Sequence, residues 1–99
     1  MTLDILAVAQ QELEDAVMFY EVAQTGLGRR FQTEIRHALT RIKRFPTMWS
    51  IERGEVRKCV VHKFPYKILY AVHGQRIVIL AIAHQHRRPD YWIERFDER

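Results

Sequence analysis

Cysteine is almost absent from this chain: one residue, Cys59, among 99. A single thiol cannot close an intramolecular disulfide, and it cannot build a zinc site without several histidines beside it. Its place inside an apolar segment, Val56–Lys63 (VRKCVVHK), marks Cys59 as a small buried side chain rather than a reactive thiol. Glycine and proline are also sparse, four and three residues, and no Gly-, Pro- or Ser-rich stretch offers a linker. Residues 1–99 are therefore read as one domain with a single core. The longest unbroken apolar run, Ile77–Ala83, has seven residues, against the roughly 20 that a membrane helix needs. Met1–Gln10 carries Asp4 and no basic residue ahead of its apolar stretch, unlike a secretory signal. Together these absences imply a cytoplasmic location and no membrane partner.

Sequence motifs for cofactors are missing as well. There is no phosphate loop, no dinucleotide glycine pattern, no HExxH and no Cys-x-x-Cys, so no cofactor is implied. His37, His62, His73, His84 and His86 are scattered. Only His84 and His86, at i and i+2, can share one face of an extended chain, and a metal needs further ligands and an ordered second shell. No metal site is expected.

What is present is charge, unevenly placed. The net charge of +4 conceals three blocks. Residues 1–28 hold five acids and no Lys or Arg, a balance of −5. Residues 29–88 carry fourteen Lys or Arg against three acids, +11, and residues 89–99 come to −2. A middle block this basic attracts nucleic acid, an acidic protein segment, or both; the plainer alternative is a solvated basic surface.

The apolar pattern gives an element order. Thr2–Val8 is short and apolar enough for a first strand. Within Gln10–Gln24, Leu13, Ala16, Val17, Tyr20 and Ala23 form one helical stripe with Glu12, Glu14, Asp15 and Glu21 largely off it. Gly26 and Gly28 break that helix. A second helix runs from about Gly28 to Arg44, where Leu27, Phe31, Ile35, Leu39 and Ile42 recur at intervals of four, four, four and three; Pro46 ends it. Three strands follow, Val56–Lys63, Lys67–His73 and Arg76–His84, separated by Phe64-Pro65 and by the turn His73-Gly74-Gln75. Arg76–His84 is apolar on both faces, the mark of a central strand covered on each side. A short helix over Asp90–Asp97, with Asp90 as N-cap, closes the chain. The expected class is α+β: a two-helix hairpin packed on an antiparallel sheet, order β-α-α-β-β-β plus a short C-terminal helix. Phe31, Ile35, Leu39 and Ile42 are expected to face Tyr70, Val72, Leu80 and Ile82 or their opposite-face neighbours.

The last strand empties into His84-Gln85-His86-Arg87-Arg88-Pro89-Asp90-Tyr91-Trp92. Cations, a titratable ring and aromatics at one sheet edge suit the gripping of something anionic or flat. Arg57, Lys58, Lys63, Lys67, Arg87 and Arg88 are the candidate cationic cluster, some of them converging at the end of this strand. Arginine offers a planar fork for phosphate or carboxylate, and lysine a mobile point charge. The bland reading is that they keep the sheet soluble; it weighs least for Arg57 and Arg87 and equally with function for the lysines. His84, placed on the same strand face as Val78, Leu80 and Ile82, reads first as a structural side chain. It can also move protons near neutrality, its ordinary pKa being about 6.5. Tyr91 and Trp92 can stack on a base or pin the terminal helix, and pinning is the preferred reading for Trp92.

The string Ala16-Val17-x-Phe19-Tyr20, the segment Gly26–Phe31 (GLGRRF), Phe45-Pro46, Arg57, Phe64-Pro65-Tyr66-x-Ile68-x-Tyr70 and Ala83-His84-x-x-Arg87-Arg88-Pro89-x-Tyr91-Trp92 closely resemble the RelE/ParE superfamily of type II toxins. The Phe-Pro-Tyr and His-Arg-Pro elements look more like its ParE-type plasmid-stabilisation branch. The resemblance covers essentially the whole chain and implies a growth inhibitor held inactive by a cognate antitoxin encoded in the same operon. It implies one of two targets: DNA gyrase, inhibited by contact, or the ribosome and its mRNA, cleaved as by RelE-type nucleases. For a nuclease, Arg57 and Arg87 would stabilise phosphorane charge and His84 or Tyr91 would move protons. For contact with target or antitoxin, Arg57, Lys58, Lys63, Lys67, Arg87, Arg88 and Tyr91 are the candidates. The dense Lys/Arg set of typical RelE nucleases is lacking and no acid is placed as an obvious base, which tilts the reading to a non-enzymatic ParE-like gyrase inhibitor. A third reading from another class is a non-toxic nucleic-acid or protein binding module.

Overall fold

The computed structural model describes residues 1–96. Its elements are β1 (Thr2–Ile5), α1 (Ala7–Ala23), α2 (Leu27–Arg44), β2 (Ile51–Arg53), β3 (Val56–Val60), β4 (Tyr66–His73), β5 (Arg76–His84) and α3 (Ile93–Phe96). The strands form one sheet in the order β1-β5-β4-β3-β2. The α+β class and the helical hairpin over a sheet agree with the expectation from sequence.

The helical hairpin is closed by glycine and by one carboxylate. Gly26 takes a φ of +89° between the helices, a conformation that side chains rarely adopt. Glu21, near the end of α1, accepts the backbone N–H of Gly26 at 2.9 Å and of Gly28 at 3.1 Å. It thereby satisfies donors that the first turn of α2 leaves without helical partners. At Gly28 a Cβ would lie 2.6 Å from the Val17 carbonyl oxygen, so only glycine lets the two helices approach this closely.

Both sheet faces are covered, as the doubly apolar β5 demands. On one face Phe31, Ile35, Ala38 and Ile42 of α2 and Ala9 and Ala16 of α1 pack on Cys59, Val61, Ile68, Tyr70, Ile77, Ile79 and Ile82. On the other, Val56, Leu69, Ala71, Val78, Leu80, Ala81 and Ala83 lie under Trp92, with Tyr91 and Phe96 beside it. Trp92 is buried and pins the C-terminal segment to the sheet. Ala38 is fully buried, whereas Leu39 packs only at the margin of the helix-side core. Cys59 is buried as expected, and burial pushes its thiol pKa up against a lowering influence of Arg41.

Several expectations need correction. The sheet is not wholly antiparallel: β1 pairs in parallel with β5, Thr2 opposite Arg76 and Ile5 opposite Ile79. A lone four-residue strand carries no pattern that reveals direction, and this one simply docks along the free edge of β5. The strand expected over Thr2–Val8 stops at Ile5, because α1 already begins at Ala7. Short β2, Ile51–Arg53, was not expected; Gly54, at φ +58°, makes its turn into β3. The C-terminal helix spans Ile93–Phe96, and Asp90 is not its N-cap but a left-handed residue (φ +64°) whose carboxylate pairs with Arg53. Asp97, the expected end of that helix, lies outside the described residues.

The last correction concerns the face of His84. Leu69 pairs with Ala81 and Tyr70 with Ile79, so Leu80 is an extra residue in β5. Such a bulge shifts the alternation by one. Val78, Leu80 and Ala81 fall on the α3 side, while Ile77, Ile79 and Ile82 fall on the helical-hairpin side. His84 follows Ile82 and therefore faces the helical hairpin, not the face that carries Val78 and Leu80.

Candidate functional site

Beyond Ile5 the N-terminal strand ends and β5 has no strand neighbour on that side. The backbone groups of β5 exposed there must find partners, since an unpaired buried amide is costly. Side chains supply them. Glu12 Oε1 accepts the Ile82 N–H at 3.0 Å, and Arg95 Nη1 donates to the Leu80 carbonyl at 3.2 Å. Arg95 also grips Glu12 with two further bonds, Nη1 to Oε1 at 2.8 Å and Nη2 to Oε2 at 3.1 Å. The Tyr91 hydroxyl donates to Glu12 Oε2 at 2.8 Å. Arg87 lies over the Tyr91 ring at 4.0 Å and Arg95 contacts the same ring at 4.8 Å, both within cation–π range.

This cluster forms the floor of a cleft of about 270 Å³ between α1 and the end of β5. Asp15, Ala16 and Phe19 line one side, and Tyr66, Ile82, His84, Arg87 and Tyr91 the other. His84 is half-buried, with its ring edge-on to Tyr66 at 5.2 Å. Its Nδ1 accepts the His86 backbone N–H at 3.0 Å, which leaves Nε2 to carry the proton of the neutral ring. Tyr91 is held protonated: burial raises its pKa, and the hydrogen bond to Glu12 and the charge of that carboxylate raise it further, outweighing Arg95 and Arg87. Burial raises the Tyr66 pKa as well. For Arg95, burial works against the charged form but the bonds and charge of Glu12 outweigh it, and its pKa rises. The cleft thus offers a guanidinium stacked on a ring, an imidazole and aromatic walls. It holds no carboxylate poised as a base at Glu12, whose oxygens already accept four donors.

The sequence-derived cations separate into three places. Arg87 and Arg88 flank a small cavity with Lys67 and His84 below the end of β5. Lys67 is not isolated there: it donates to both oxygens of Glu52, at 3.0 and 3.1 Å, and Lys58 lies 3.8 Å from the same carboxylate. Lys63, in a left-handed turn at φ +71°, sits against α2, 3.6 Å from Glu34. Arg57 occupies the opposite face of β3 from Lys58; its Nη1 donates to the Trp49 carbonyl at 2.7 Å, below α2. His84, Arg87 and Tyr91 are therefore brought together, while Arg57 is placed elsewhere.

Sequence reading passed over Glu12, Arg95 and Glu52. Glu12 was counted among acids off the apolar stripe; the available signal was its position one turn before buried Ala16, on the border of the stripe. Arg95 was hidden in an acidic tail, and Glu52 lies on a strand too short to show alternation. The basic surface of α2 is more legible: Arg29, Arg30, Thr33, Glu34, His37 and Lys63 line an open groove of about 550 Å³ beside Leu27 and Phe64. Among the described residues no His/Cys/Asp/Glu cluster suits a metal ion, and no helix is long and apolar enough to cross a membrane.

Comparison with known proteins follows the same fold. A family model for the ParE toxin of the type II toxin-antitoxin system, parDE, matches residues 3–89. Among solved structures, a chain of the chromosomal ParDE TA system from P. aeruginosa superposes with a TM-score of 0.76 at 19% sequence identity, covering 85% of this chain and 95% of that one. No curated protein sequence matches significantly.

Proposed function

The chain belongs to the ParE toxin family of type II toxin-antitoxin systems, and from that premise we propose that it inhibits growth by binding DNA gyrase and is neutralised by a cognate antitoxin encoded in the same operon. The observation that carries the gyrase reading is that the nuclease set is incomplete at the cleft, with Arg57 absent from it and the Tyr91 hydroxyl already engaged. Phosphodiester cleavage by a 2′-hydroxyl needs a base, an acid and cations around one phosphate. Arg57 is turned to the Trp49 carbonyl below α2, the Tyr91 hydroxyl is bound to Glu12, and Glu12 is bound to Arg95. What is left at the cleft, Arg87 stacked on Tyr91 beside Phe19 and Tyr66, is the composition of a protein-binding hot spot: arginine and aromatics around a small pocket.

Antitoxin binding is assigned to the basic block. Arg29, Arg30, Arg36, Arg41, Lys43 and Arg44 all sit on α2, whose sole acid is Glu34. An extended segment with acids and a few apolar anchors matches this surface and its groove, ordering as it binds. A RelE-like nuclease remains the second reading, favoured by one observation: His84, Arg87 and Tyr91 line a single cleft.

The deciding experiment is induced expression with two parallel readouts, plasmid supercoiling by gyrase and cleavage of messenger on ribosomes. Supercoiling lost with messenger intact is the expected result; clean cleavage at A-site codons reverses the assignment, and absence of toxicity removes both toxin readings.

A further inference from the structure

The apolar residues most exposed in the described structure concentrate on α1. Met18 is 63% exposed, Phe19 67% and Val22 78%. At helical spacing Met18 and Val22 lie opposite Ala9 and Ala16, which are buried against the sheet, so they point away from the core. Val8, 38% exposed, lies on the same face about three turns before Met18, with Gln11 and Asp15 between them. Scattered single apolar residues on a surface need no explanation, but three adjoining ones, Met18, Phe19 and Val22, mark an interaction face.

The polar residues around the stripe are one-sided in charge. Gln11, Glu14 and Asp15 share its face, Gln10 donates to Glu14 at 3.0 Å, and Gln11 donates to Asp15 at 2.9 Å. No Lys or Arg occurs anywhere in residues 1–28. Phe19 and Asp15 form the border with the cleft, across which Arg87 lies over Tyr91. The face is thus apolar towards its C-terminal end, at Met18, Phe19 and Val22, and anionic towards its N-terminal end, at Glu14 and Asp15, the inverse of basic α2.

From this we infer that the outer face of α1 docks a second protein partner, an amphipathic helical segment whose apolar residues are flanked by Lys or Arg. Three other occupants fit worse. The acidic segment assigned to α2 would meet Glu14 and Asp15 with like charge. A second copy using the same face would set those acids against each other. A second copy offering its basic surface instead would make a head-to-tail contact, which assembles into a ring or an open filament rather than a simple dimer. An anionic membrane surface is repelled by the same acids. A cationic amphipathic helix satisfies both parts, laying its i, i+3, i+4 and i+7 residues over Met18, Phe19 and Val22 and its Lys or Arg against Glu14 and Asp15.

The test uses the full chain and two labelled model peptides with leucine at helical spacing, one with lysine at every polar position and one with glutamate. The lysine peptide is expected to bind with an affinity that falls as salt rises. Met18→Gln and Val22→Gln, substitutions at solvent-facing positions that leave the core untouched, should each weaken it about tenfold. Asp15→Lys should weaken it further at low salt. The glutamate peptide, directed to α2, should bind equally well to the parent chain and to both variants. Lysine-peptide binding that is absent, or unchanged by Met18→Gln and Val22→Gln in chains that melt normally, overturns the inference. So does a concentration-dependent self-association in sedimentation that those substitutions abolish, or binding of anionic vesicles through the same residues. Loss of glutamate-peptide binding from the parent chain would count against the antitoxin surface alone.

Discussion

Arg95 and Glu12, separated by 83 positions in sequence, meet in a two-pronged contact, Nη1 to Oε1 at 2.8 Å and Nη2 to Oε2 at 3.1 Å. The pair stands where a longer β1 would have continued. Glu12 takes the Ile82 N–H and Arg95 the Leu80 carbonyl, so two side chains from opposite ends of the chain complete the edge of β5. The fork geometry is the strong form of a carboxylate–guanidinium contact, and both side chains are only about 15% exposed. They also fix Tyr91, and through it the seat of Arg87.

Glu12→Ala is expected to destabilise the fold by about 2–3 kcal/mol, the scale for removing a charged acceptor from partly buried donors. Urea unfolding measures it. Combining Glu12→Gln with Arg95→Leu should recover part of that loss, because no charge is then left without its counterpart. A double variant as unstable as the summed single ones would show that the pair is not coupled.

The four tyrosines give a pH signature. Burial raises the pKa of Tyr20, Tyr66, Tyr70 and Tyr91 alike above the ordinary value of 10.0. Tyr70 is carried to about 12, chiefly by burial, with Arg57 opposing and Cys59 adding; its hydroxyl also donates to the Pro46 carbonyl at 2.7 Å. In each case the folded state holds the phenolic proton more tightly than the unfolded chain. Stability from this source is fully present below pH 10.0 and is lost as pH climbs from there through the folded values. Phenolate absorbance should therefore lag behind that of the urea-unfolded chain, and unfolding should set in between pH 10.0 and about 12. Tyr70→Phe should reduce the pH sensitivity in that window. A folded chain whose tyrosines all titrate at the unfolded value would refute the packing described for them.

Within the α2 stripe, fully buried Ile42 and marginal Leu39 should respond unequally. Ile42→Ala is expected to cost about 2–5 kcal/mol, the usual range for a large-to-small change in a packed core, and Leu39→Ala clearly less. Thermal melting ranks them. An equal loss would mean that Leu39 reaches the core as Ile42 does.

That ranking illustrates what could be read from the residues. The spacing of Phe31, Ile35 and Ile42 gave α2 and its buried side, because helical period and burial coincide there. Leu39 fitted the same spacing, but a stripe at intervals of four drifts around the helix, and Ala38 takes the inner position. Trp92 as an anchor was legible from its size and from the doubly apolar β5 that needed cover. The face of His84 was not, because one extra residue at Leu80 reverses the alternation and leaves no mark in a run as uniformly apolar as Ile77–Ala83. Glu12 was invisible for a related reason: its partners, Ile82, Tyr91 and Arg95, lie more than 69 residues away and are assembled only by the fold. Local pattern locates elements; it does not locate polar groups whose partners come from the other end of the chain.

The remaining prediction separates the two toxin mechanisms by how charge and proton transfer respond to substitution. If the chain cleaves messenger, Arg87→Ala removes a guanidinium from the reacting phosphate and should lower the rate roughly 10²–10³-fold. His84→Gln should also be severe, since glutamine keeps a hydrogen bond but carries no proton. Arg57→Ala is the sharper probe. Its guanidinium donates to the Trp49 carbonyl on the α2 side of the sheet, so a loss of cleavage in a stably folded Arg57→Ala chain would require that side chain to leave its present partner. If the chain instead binds gyrase, there is no cleavage to lose. Arg87→Ala and Tyr91→Phe should then alter affinity for gyrase, Arg87 as the exposed cation over an aromatic ring and Tyr91 through the seat it gives that cation. His84→Gln should act mainly on stability through Tyr66 and the His86 turn, and Arg57→Ala on stability through the loop at Trp49. The expected pattern is the second: supercoiling inhibition weakened by Arg87→Ala, little changed by His84→Gln or Arg57→Ala once folding is matched, and ribosomal messenger intact throughout. Cleavage by the parent chain that disappears in a folded His84→Gln variant would replace it with the first.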